Sequence, residues 1–129
     1  DRGSEFPKLP DSLVGLQNRY GYCLSMGDGG ISGVSEGGAT VKYDLANGGT
    51  SELHNFPKSH FPGEPSFVPA EGAKNEDDGY LMTYVYAGDT DTSYLAILDA
   101  SNIASDPLAE IHVPKRVPTG FHGTWIADN

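Results

Sequence analysis

The feature that most constrains the fold of this chain is its lack of any window long enough for a stable α-helix. Only Ser101–Glu110 has helical character, and that window spans barely two turns and contains Pro107. At best it forms one short helical turn. The 129 residues include 17 Gly and 9 Pro, so the chain is rich in turns. The sequence therefore predicts a single all-β domain.

Eight short runs of aromatic and β-branched residues, each bounded by Gly, Asp, Asn or Pro, are predicted to be strands. They are Arg19–Met26, Thr40–Asp44, Ser51–Phe56, Ser66–Pro69, Tyr80–Ala87, Ser93–Asp99, Ala109–Val113 and Gly120–Ile126. This density leaves no room for the helical crossovers that parallel strands require. The polar, proline-broken residues before them, Asp1–Pro10, are interpreted as a leading segment.

The segments between these strands have the chemistry of tight antiparallel turns. Asn47-Gly48 and Asp78-Gly79 are dipeptides that tolerate the positive φ of a hairpin turn. Sequential hairpins with roughly 40 to 50 residues per four strands are typical of β-propellers. At that spacing the chain supplies about two to three blades, fewer than the roughly four to eight of a closed ring. We therefore expect exposed sheet edges where further blades would pack.

The charge of the chain narrows its possible partners. Lys and Arg number 8 and Asp and Glu number 18, a formal net charge of −10, so we expect no nucleic-acid partner. The longest apolar run, near Tyr80–Ala87, is far shorter than the roughly 20 residues of a membrane-spanning helix. No signal peptide is recognisable, and we expect a soluble, cytoplasmic protein. Contact with a membrane surface stays open.

Cys23 is the only cysteine, which excludes an intrachain disulfide and a cluster of thiolate ligands. A reducing compartment fits this composition best. Because no His or Lys adjoins Cys23 in the sequence, we interpret it as a small apolar strand residue rather than a reactive thiol.

One motif resembles a hydrolase site. Gly33-Val-Ser-Glu-Gly37 matches the nucleophile elbow G-x-S-x-G, and Asp99 and His122 follow in the order of a hydrolase triad. That motif requires a strand before it and a helix after it. Here a Gly-rich loop precedes it and a strand-like run follows, so we do not expect a hydrolase.

Two acidic clusters, Glu76–Asp78 and Asp89–Asp91, could suggest calcium. Neither has the spacing of an EF-hand loop. Both fall between predicted strands, where Asp is favoured because its carboxylate binds nearby backbone N–H groups. We interpret both clusters as hairpin turns.

The four histidines differ in their surroundings. His54 lies in a polar strand, His60 in the loop after it, and His112 on the face of its strand opposite Ile111 and Val113. These three are interpreted as structural or surface residues.

His122 lies between Gly120 and Gly123, which let the backbone approach a bulky group closely, and aromatic residues flank it. Glu64 leads directly into an apolar strand, where an unpaired charge is costly to bury. A metal-bound histidine with a free ring N–H would be a suitable partner for it. A solvent-facing carboxylate at a strand start is the alternative.

Several strings of the sequence occur in an order that resembles one known family. They are Gly63–Pro69, Glu76–Tyr86, Leu95–Ala100 and Arg116–Trp125, with shorter similar pieces at Glu5–Pro7, Arg19–Tyr22 and Lys42–Leu45. Together they resemble the carboxyl-terminal part of the carotenoid cleavage oxygenases, which include the lignostilbene dioxygenases and the retinal pigment epithelium isomerase. The resemblance covers residues 1–129 almost completely.

This resemblance implies a seven-bladed β-propeller that holds a non-haem Fe(II) by four histidines, some of them oriented by glutamates. By position His122 would be the last iron ligand and Glu64 a glutamate bonded to it. The other ligands, and the rest of the propeller, would lie upstream. No ligand motif surrounds the other three histidines. Thr119 stands where many relatives have an aromatic residue, which leaves the shape of the cavity near the metal open.

The activity implied is addition of dioxygen across one conjugated carbon–carbon double bond of an apolar carotenoid, apocarotenoid or stilbene, giving two carbonyl products. This chain would supply one ligand and its glutamate, and alone it would be inactive. The alternative is a non-catalytic β-rich interaction module that keeps these strings only for folding. Three further histidines upstream would favour the enzyme.

Overall fold

The computed structural model of the chain describes residues 3–25 and 37–127. Its strands are β1 (Ser4–Lys8), β2 (Tyr20–Ser25), β3 (Ala39–Asp44), β4 (Thr50–Asn55), β5 (His60–Pro62), β6 (Ser66–Pro69), β7 (Gly79–Ala87), β8 (Thr92–Asp99) and β9 (Ala109–Val113). Short 3₁₀ turns cover Asp11–Leu13 and Leu45–Asn47. Within these described ranges no helix could span a lipid bilayer.

The strands form two antiparallel sheets. Sheet A has the order β1-β2-β3-β4, and sheet B has the order β5-β7-β8-β9, with β6 also paired to β7. Neighbouring strands are sequential hairpins almost throughout, the pattern expected of propeller blades. The all-β antiparallel prediction is confirmed, and the described residues supply two blades. Residues 101–108 form turns rather than a helix.

Turn chemistry and alternation explain the longest hairpins. Gly48 at φ 69° ends the turn between β3 and β4, as the Asn-Gly dipeptide predicted. Along β7, odd-numbered residues such as Leu81 and Val85 are buried, whereas Tyr80 and Tyr84 point outward. Burial of each large apolar side chain contributes about 1.5–3 kcal/mol.

The core lies between the two sheets. Tyr22 of β2 stacks on Phe67 of β6 with ring centroids 5.8 Å apart, and Leu81 and Leu98 complete the buried cluster from sheet B. Cys23 lies in β2 as predicted, and burial raises the pKa of its thiol, which disfavours the reactive thiolate.

Polar contacts also join the sheets, in a set that we call the inter-sheet clasp. The Glu76 carboxylate accepts hydrogen bonds from the backbone N–H groups of Arg19 and Tyr20. The Lys42 side chain is only 5% exposed, and its Nζ atom lies 2.7 Å from the Asp77 carboxylate. The third member of this acidic cluster, Asp78, closes a turn as predicted. Glu76 and Asp77 therefore link the two sheets, a role that the turn interpretation of this cluster did not include.

Sheet B leaves one face and one edge uncovered. Tyr80 and Tyr84 of β7 are exposed on its outward face, and the edge strand β9 is exposed at Ile111 and His112. These exposures match the edges expected of an incomplete ring. The predicted difference in exposure between His112 and Ile111 is not observed. The reason is that an edge strand without a covering sheet is exposed to solvent on both faces.

Three predictions of local structure were wrong. The predicted strand Gly120–Ile126 pairs with no strand within the described residues, because its backbone bonds to side chains of other elements instead. The leading segment Asp1–Pro10 contains β1, an edge strand in which Pro7 is tolerated. His60 lies in β5, which at three residues is too short to show a pattern. Met26 and most of the G-x-S-x-G motif lie outside the described residues.

Candidate metal centre

A β-bulge in the edge strand of sheet B positions Glu64. Pro62 pairs with Val85 and Ser66 pairs with Met82, so the three residues 63–65 face only two residues of β7. The bulge is pinned where the Gly63 N–H donates to the Tyr84 carbonyl at 2.8 Å. An extra residue in one strand re-aims its side chains, and such bulges are frequent next to functional sites. β5 and β6 are therefore two halves of one interrupted strand.

The Glu64 carboxylate is only 6% exposed. It accepts a hydrogen bond from the Gly123 backbone N–H, and its Oε1 lies 3.4 Å from both His122 Nδ1 and Lys8 Nζ. Burial by itself raises the pKa of Glu64, but the bonds from Gly123, His122 and Lys8 outweigh it and hold the pKa below its ordinary value. Glu64 is therefore a buried, ionised acceptor rather than a solvent-facing residue.

A second bulge, in β1 of sheet A, faces the first. Glu5 pairs with Leu24 and Lys8 with Tyr22, so residues 6 and 7 oppose Cys23 alone. Phe6 has φ 56°, a left-handed conformation that is unusual for a bulky residue. Its ring meets the His122 imidazole edge-on, with centroids 5.5 Å apart.

The segment after β9 carries His122 across the end of sheet B. The Arg116 guanidinium lies over the Tyr86 ring of β7, 4.6 Å from its centroid, and the Val117 N–H donates to Ser93 of β8. From there the chain reaches the edge strands, where His122 lies between the two bulges. We call Glu64, His122, Gly123, Lys8 and Phe6 the bulge site.

The geometry of His122 suits a metal ligand. With its proton on Nδ1, the imidazole donates to Glu64, and the lone pair of Nε2 is then available. Nε2 has no hydrogen bond to any other described residue, and the side chain is 78% exposed. No group of three or more potential ligands occurs among the described residues. The bulge site can therefore supply one ligand to a centre that other residues would complete.

The other histidines have partners of their own. His54 Nδ1 lies 3.1 Å from the Ser105 carbonyl. His60 Nδ1 lies 2.9 Å from the Tyr94 hydroxyl, and burial raises the pKa of Tyr94 to about 12. His112, on the edge strand β9, packs its exposed ring against the ring of Tyr94 on β8.

The local sequence marks Glu64 and His122 as site residues but does not mark Phe6 and Lys8. Both lie in the segment interpreted as leading into the fold, more than 110 residues from His122. The similar string Glu5–Pro7 was the available signal. It did not show that β1 belongs to the site, because nothing in the sequence indicates which edge strand His122 reaches.

The fold and the site define the class of protein: antiparallel propeller blades that present a histidine held by a buried carboxylate. The family model described as RPE65, retinal pigment epithelial membrane protein, matches residues 1–127. Curated carotenoid cleavage oxygenases match nearly the same range. The chain belongs to this family of carotenoid oxygenases.

Two bacterial relatives show the extent of the similarity. The chain is 37% identical over 127 residues to the carotenoid cleavage oxygenase of Mycobacterium tuberculosis, covering 97% of this chain and 25% of that protein. It is 38% identical over 128 residues to the apocarotenoid-15,15'-oxygenase of Synechocystis, covering 96% of this chain and 25% of that protein. The chain thus spans about a quarter of the length of these relatives.

Solved structures agree. The cobalt-substituted Synechocystis apocarotenoid oxygenase has a TM-score of 0.85 and 34% identity, covering 98% of this chain and 26% of that one. A chimera of this oxygenase and RPE65 has a TM-score of 0.87 and 32% identity, with the same coverage. The two sheets therefore have the fold of part of the seven-bladed propeller of these enzymes, as the resemblance implied.

Proposed function

We propose that this chain is the carboxyl-terminal portion, residues 1–129, of an Fe(II)-dependent dioxygenase. The complete enzyme would cleave one conjugated carbon–carbon double bond of a carotenoid, apocarotenoid or stilbene into two carbonyl products. Membership of the carotenoid oxygenase family supports the reaction class. The observation that carries the role of this chain is the Glu64–His122 pair, in which Nδ1 is engaged and Nε2 is available.

The donor chemistry of His122 fits this metal. A neutral imidazole adds no negative charge to the centre, unlike a carboxylate ligand, so a set of four histidines favours the ferrous state. When bound, the iron would supply the activation of dioxygen. His122 would hold it through Nε2, and the remaining histidines would come from chain upstream of these residues.

The protein's own contribution is to orient the ligand. Glu64 holds the Nδ1 proton, which selects the tautomer and raises the basicity of Nε2. Phe6 packs edge-on against the imidazole and limits its rotation. The Gly123 N–H, bound to Glu64, fixes the backbone beside the ligand. An apolar conjugated substrate and dioxygen are the partners this proposal requires.

The proposal is tested in the complete protein with His122→Ala. We expect loss of stoichiometric iron and of double-bond cleavage, measured by metal analysis and by product formation. His112→Ala is the matched control, because His112 is exposed on β9, at the opposite edge of sheet B from the strands that flank Glu64. It should retain both properties.

A His122→Ala protein that keeps one iron per chain and turns over substrate would contradict the proposal. The upstream reading frame gives a second test. Three further histidines there favour the enzyme, whereas their absence favours an interaction module that keeps the family strings only for folding.

A further inference from the structure

Lys8 connects sheet A to the bulge site. Its side chain, 24% exposed, extends from the β1 bulge and places Nζ 3.0 Å from the Gly123 carbonyl oxygen and 3.4 Å from Glu64 Oε1. Sheet B supplies the carboxylate, and sheet A supplies the cation. The two sheets therefore meet at the residue next to the proposed ligand.

The contacts of Lys8 restrain a segment that has no strand ladder of its own. Gly123 donates its N–H to Glu64 and accepts the Lys8 ammonium at its C=O. Both polar backbone groups of the residue after His122 are thus bound to charged side chains. Charge-assisted hydrogen bonds of this kind are stronger and more directional than neutral ones, so the backbone at His122 is held although Phe121 and His122 are exposed.

Lys8 also compensates the charge of Glu64. A carboxylate that is almost fully buried needs donors and a positive partner to remain in place. Gly123 and His122 supply the donors, and Lys8 is the only Lys or Arg side chain that forms a salt bridge with Glu64 among the described residues. Without Lys8, the Glu64 side chain would be free to reorient towards solvent, and its hydrogen bond with His122 Nδ1 would be lost.

We propose that Lys8 is a positioning residue of the metal centre, acting through the Glu64 carboxylate and the Gly123 carbonyl to hold the His122 imidazole. This inference rests on the proposed function, since it assumes that His122 binds the metal. It also makes the geometry of the centre depend on the docking of β1 against sheet B.

The test uses the complete protein loaded with Fe(II) or, for spectroscopy, with Co(II). Lys8→Met removes the charge and the donor while keeping much of the side-chain length. We expect metal loss to a chelator to accelerate by about 10-fold, within the range seen when outer partners of metal-bound histidines are removed. The visible absorption bands of the Co(II) form should shift as the ligand geometry changes.

Two variants separate a positioning role from a general loss of stability. Lys58→Met is the matched control, because Lys58 is exposed and the ion pair of Glu64 is formed with Lys8 instead, and this variant should lose metal at the wild-type rate. Lys8→Arg keeps a cation and an N–H donor and should restore most of the metal retention. Lys8→Gln keeps only a donor and covers the case in which Lys8→Met fails to fold.

The outcomes are distinct. Wild-type metal loss and an unchanged Co(II) spectrum in Lys8→Met, or in Lys8→Gln if that variant is needed, would overturn the role of Lys8. Lys8→Arg as defective as Lys8→Met would overturn it also, because the charge would then not be the determinant. Retention of metal by His122→Ala would instead contradict the metal site itself, a different failure that a separate variant reports.

Discussion

The inter-sheet clasp and the bulge site each contain a lysine–carboxylate ion pair, but the two pairs differ in the distance between the charged groups and in the burial of the lysine. Each pairs a lysine of sheet A with a carboxylate of sheet B. In the clasp, Lys42 and Asp77 are 2.7 Å apart, and the lysine is almost fully buried. In the bulge site, Lys8 and Glu64 are 3.4 Å apart, and the lysine is 24% exposed.

This difference indicates two tasks for one kind of contact. The clasp lies beside the core, where Lys42 also bonds to the Ser101 carbonyl and lies over the Tyr20 ring. It fixes how the blades stack. The bulge site restrains an exposed segment that a metal and further blades would contact. We therefore expect substitutions in the clasp to change stability, and substitutions in the bulge site to change metal binding.

The largest effect should come from Asp77→Asn. This substitution leaves the buried Lys42 ammonium without its anionic partner, and breaking a buried pair on one side costs about 3–5 kcal/mol. Denaturant unfolding of the complete protein should show this loss, while Asp106→Asn, at an exposed position, should not. A loss below about 0.5 kcal/mol would show that the clasp does not hold the sheets.

The next effect should come from Glu64→Gln. The amide can still accept one hydrogen bond, but it lacks the charge that engages Lys8 and His122 together, so metal affinity should fall by about 10- to 100-fold. Competition with a chelator measures this change, with the exposed residue Glu71 substituted by Gln as control. Unchanged affinity together with reduced stability would assign Glu64 to the same task as the clasp.

A third ion pair, Arg19–Asp44, lies at the exposed end of the clasp. Unlike the other two pairs, it should be recognised by the pH dependence of the stability that it contributes. The bidentate bond from Arg19 lowers the pKa of Asp44 to about 2 from an ordinary value of 3.8. Because the folded pKa is the lower one, the stability from this pair is present above about pH 4 and is lost as the pH falls towards 2.

Carboxyl NMR titration should show the Asp44 midpoint near 2 in the wild type and closer to its ordinary value in Arg19→Gln. Thermal unfolding between pH 2 and 5 should be less acid-sensitive in Asp44→Asn than in the wild type. Equal acid sensitivity in both proteins would remove Asp44 from the set of groups that stabilise the fold.

The smallest effect should come from Arg116→Gln. Its guanidinium is 3.9 Å from Asp91 and 4.6 Å from the centroid of the Tyr86 ring. Because Arg116 and Asp91 are exposed, we expect these two contacts together to contribute about 1 kcal/mol or less. Denaturant unfolding should show a loss of stability well below that of Asp77→Asn. A loss comparable to that of Asp77→Asn would mean that burial does not explain the contrast between the charge pairs.

Strands β6 and β9 were predicted with their observed bounds, and the long strands β7 and β8 were predicted almost as closely. β7 and β8 alternate over eight or nine residues, and their predicted bounds differ from the observed ones by one residue. Two strands, β1 and β5, were missed. β5 has three residues, and β1 contains a proline and a bulge, so neither shows a period that a pattern could detect.

Glu64 and His122 could be predicted because local sequence marks each of them: a carboxylate before an apolar strand, and a histidine between glycines. Their meeting follows from the two bulges and from the path of residues 114–123 across sheet B. The predicted strand at Gly120–Ile126 was wrong for the same reason, since a segment that bonds to side chains of distant elements has a strand-like composition without a ladder.

The sequence by itself determined the antiparallel all-β class, the acidic charge and the two residues of the pair, because turn chemistry and strand alternation are local. Only the tertiary structure decided that Lys8 and Phe6 join them, that Glu76 and Asp77 link the sheets, and that Glu64 is buried. These contacts join residues 35 to 116 positions apart, and which edge strand meets which segment depends on how two twisted sheets pack, a property that no local pattern encodes.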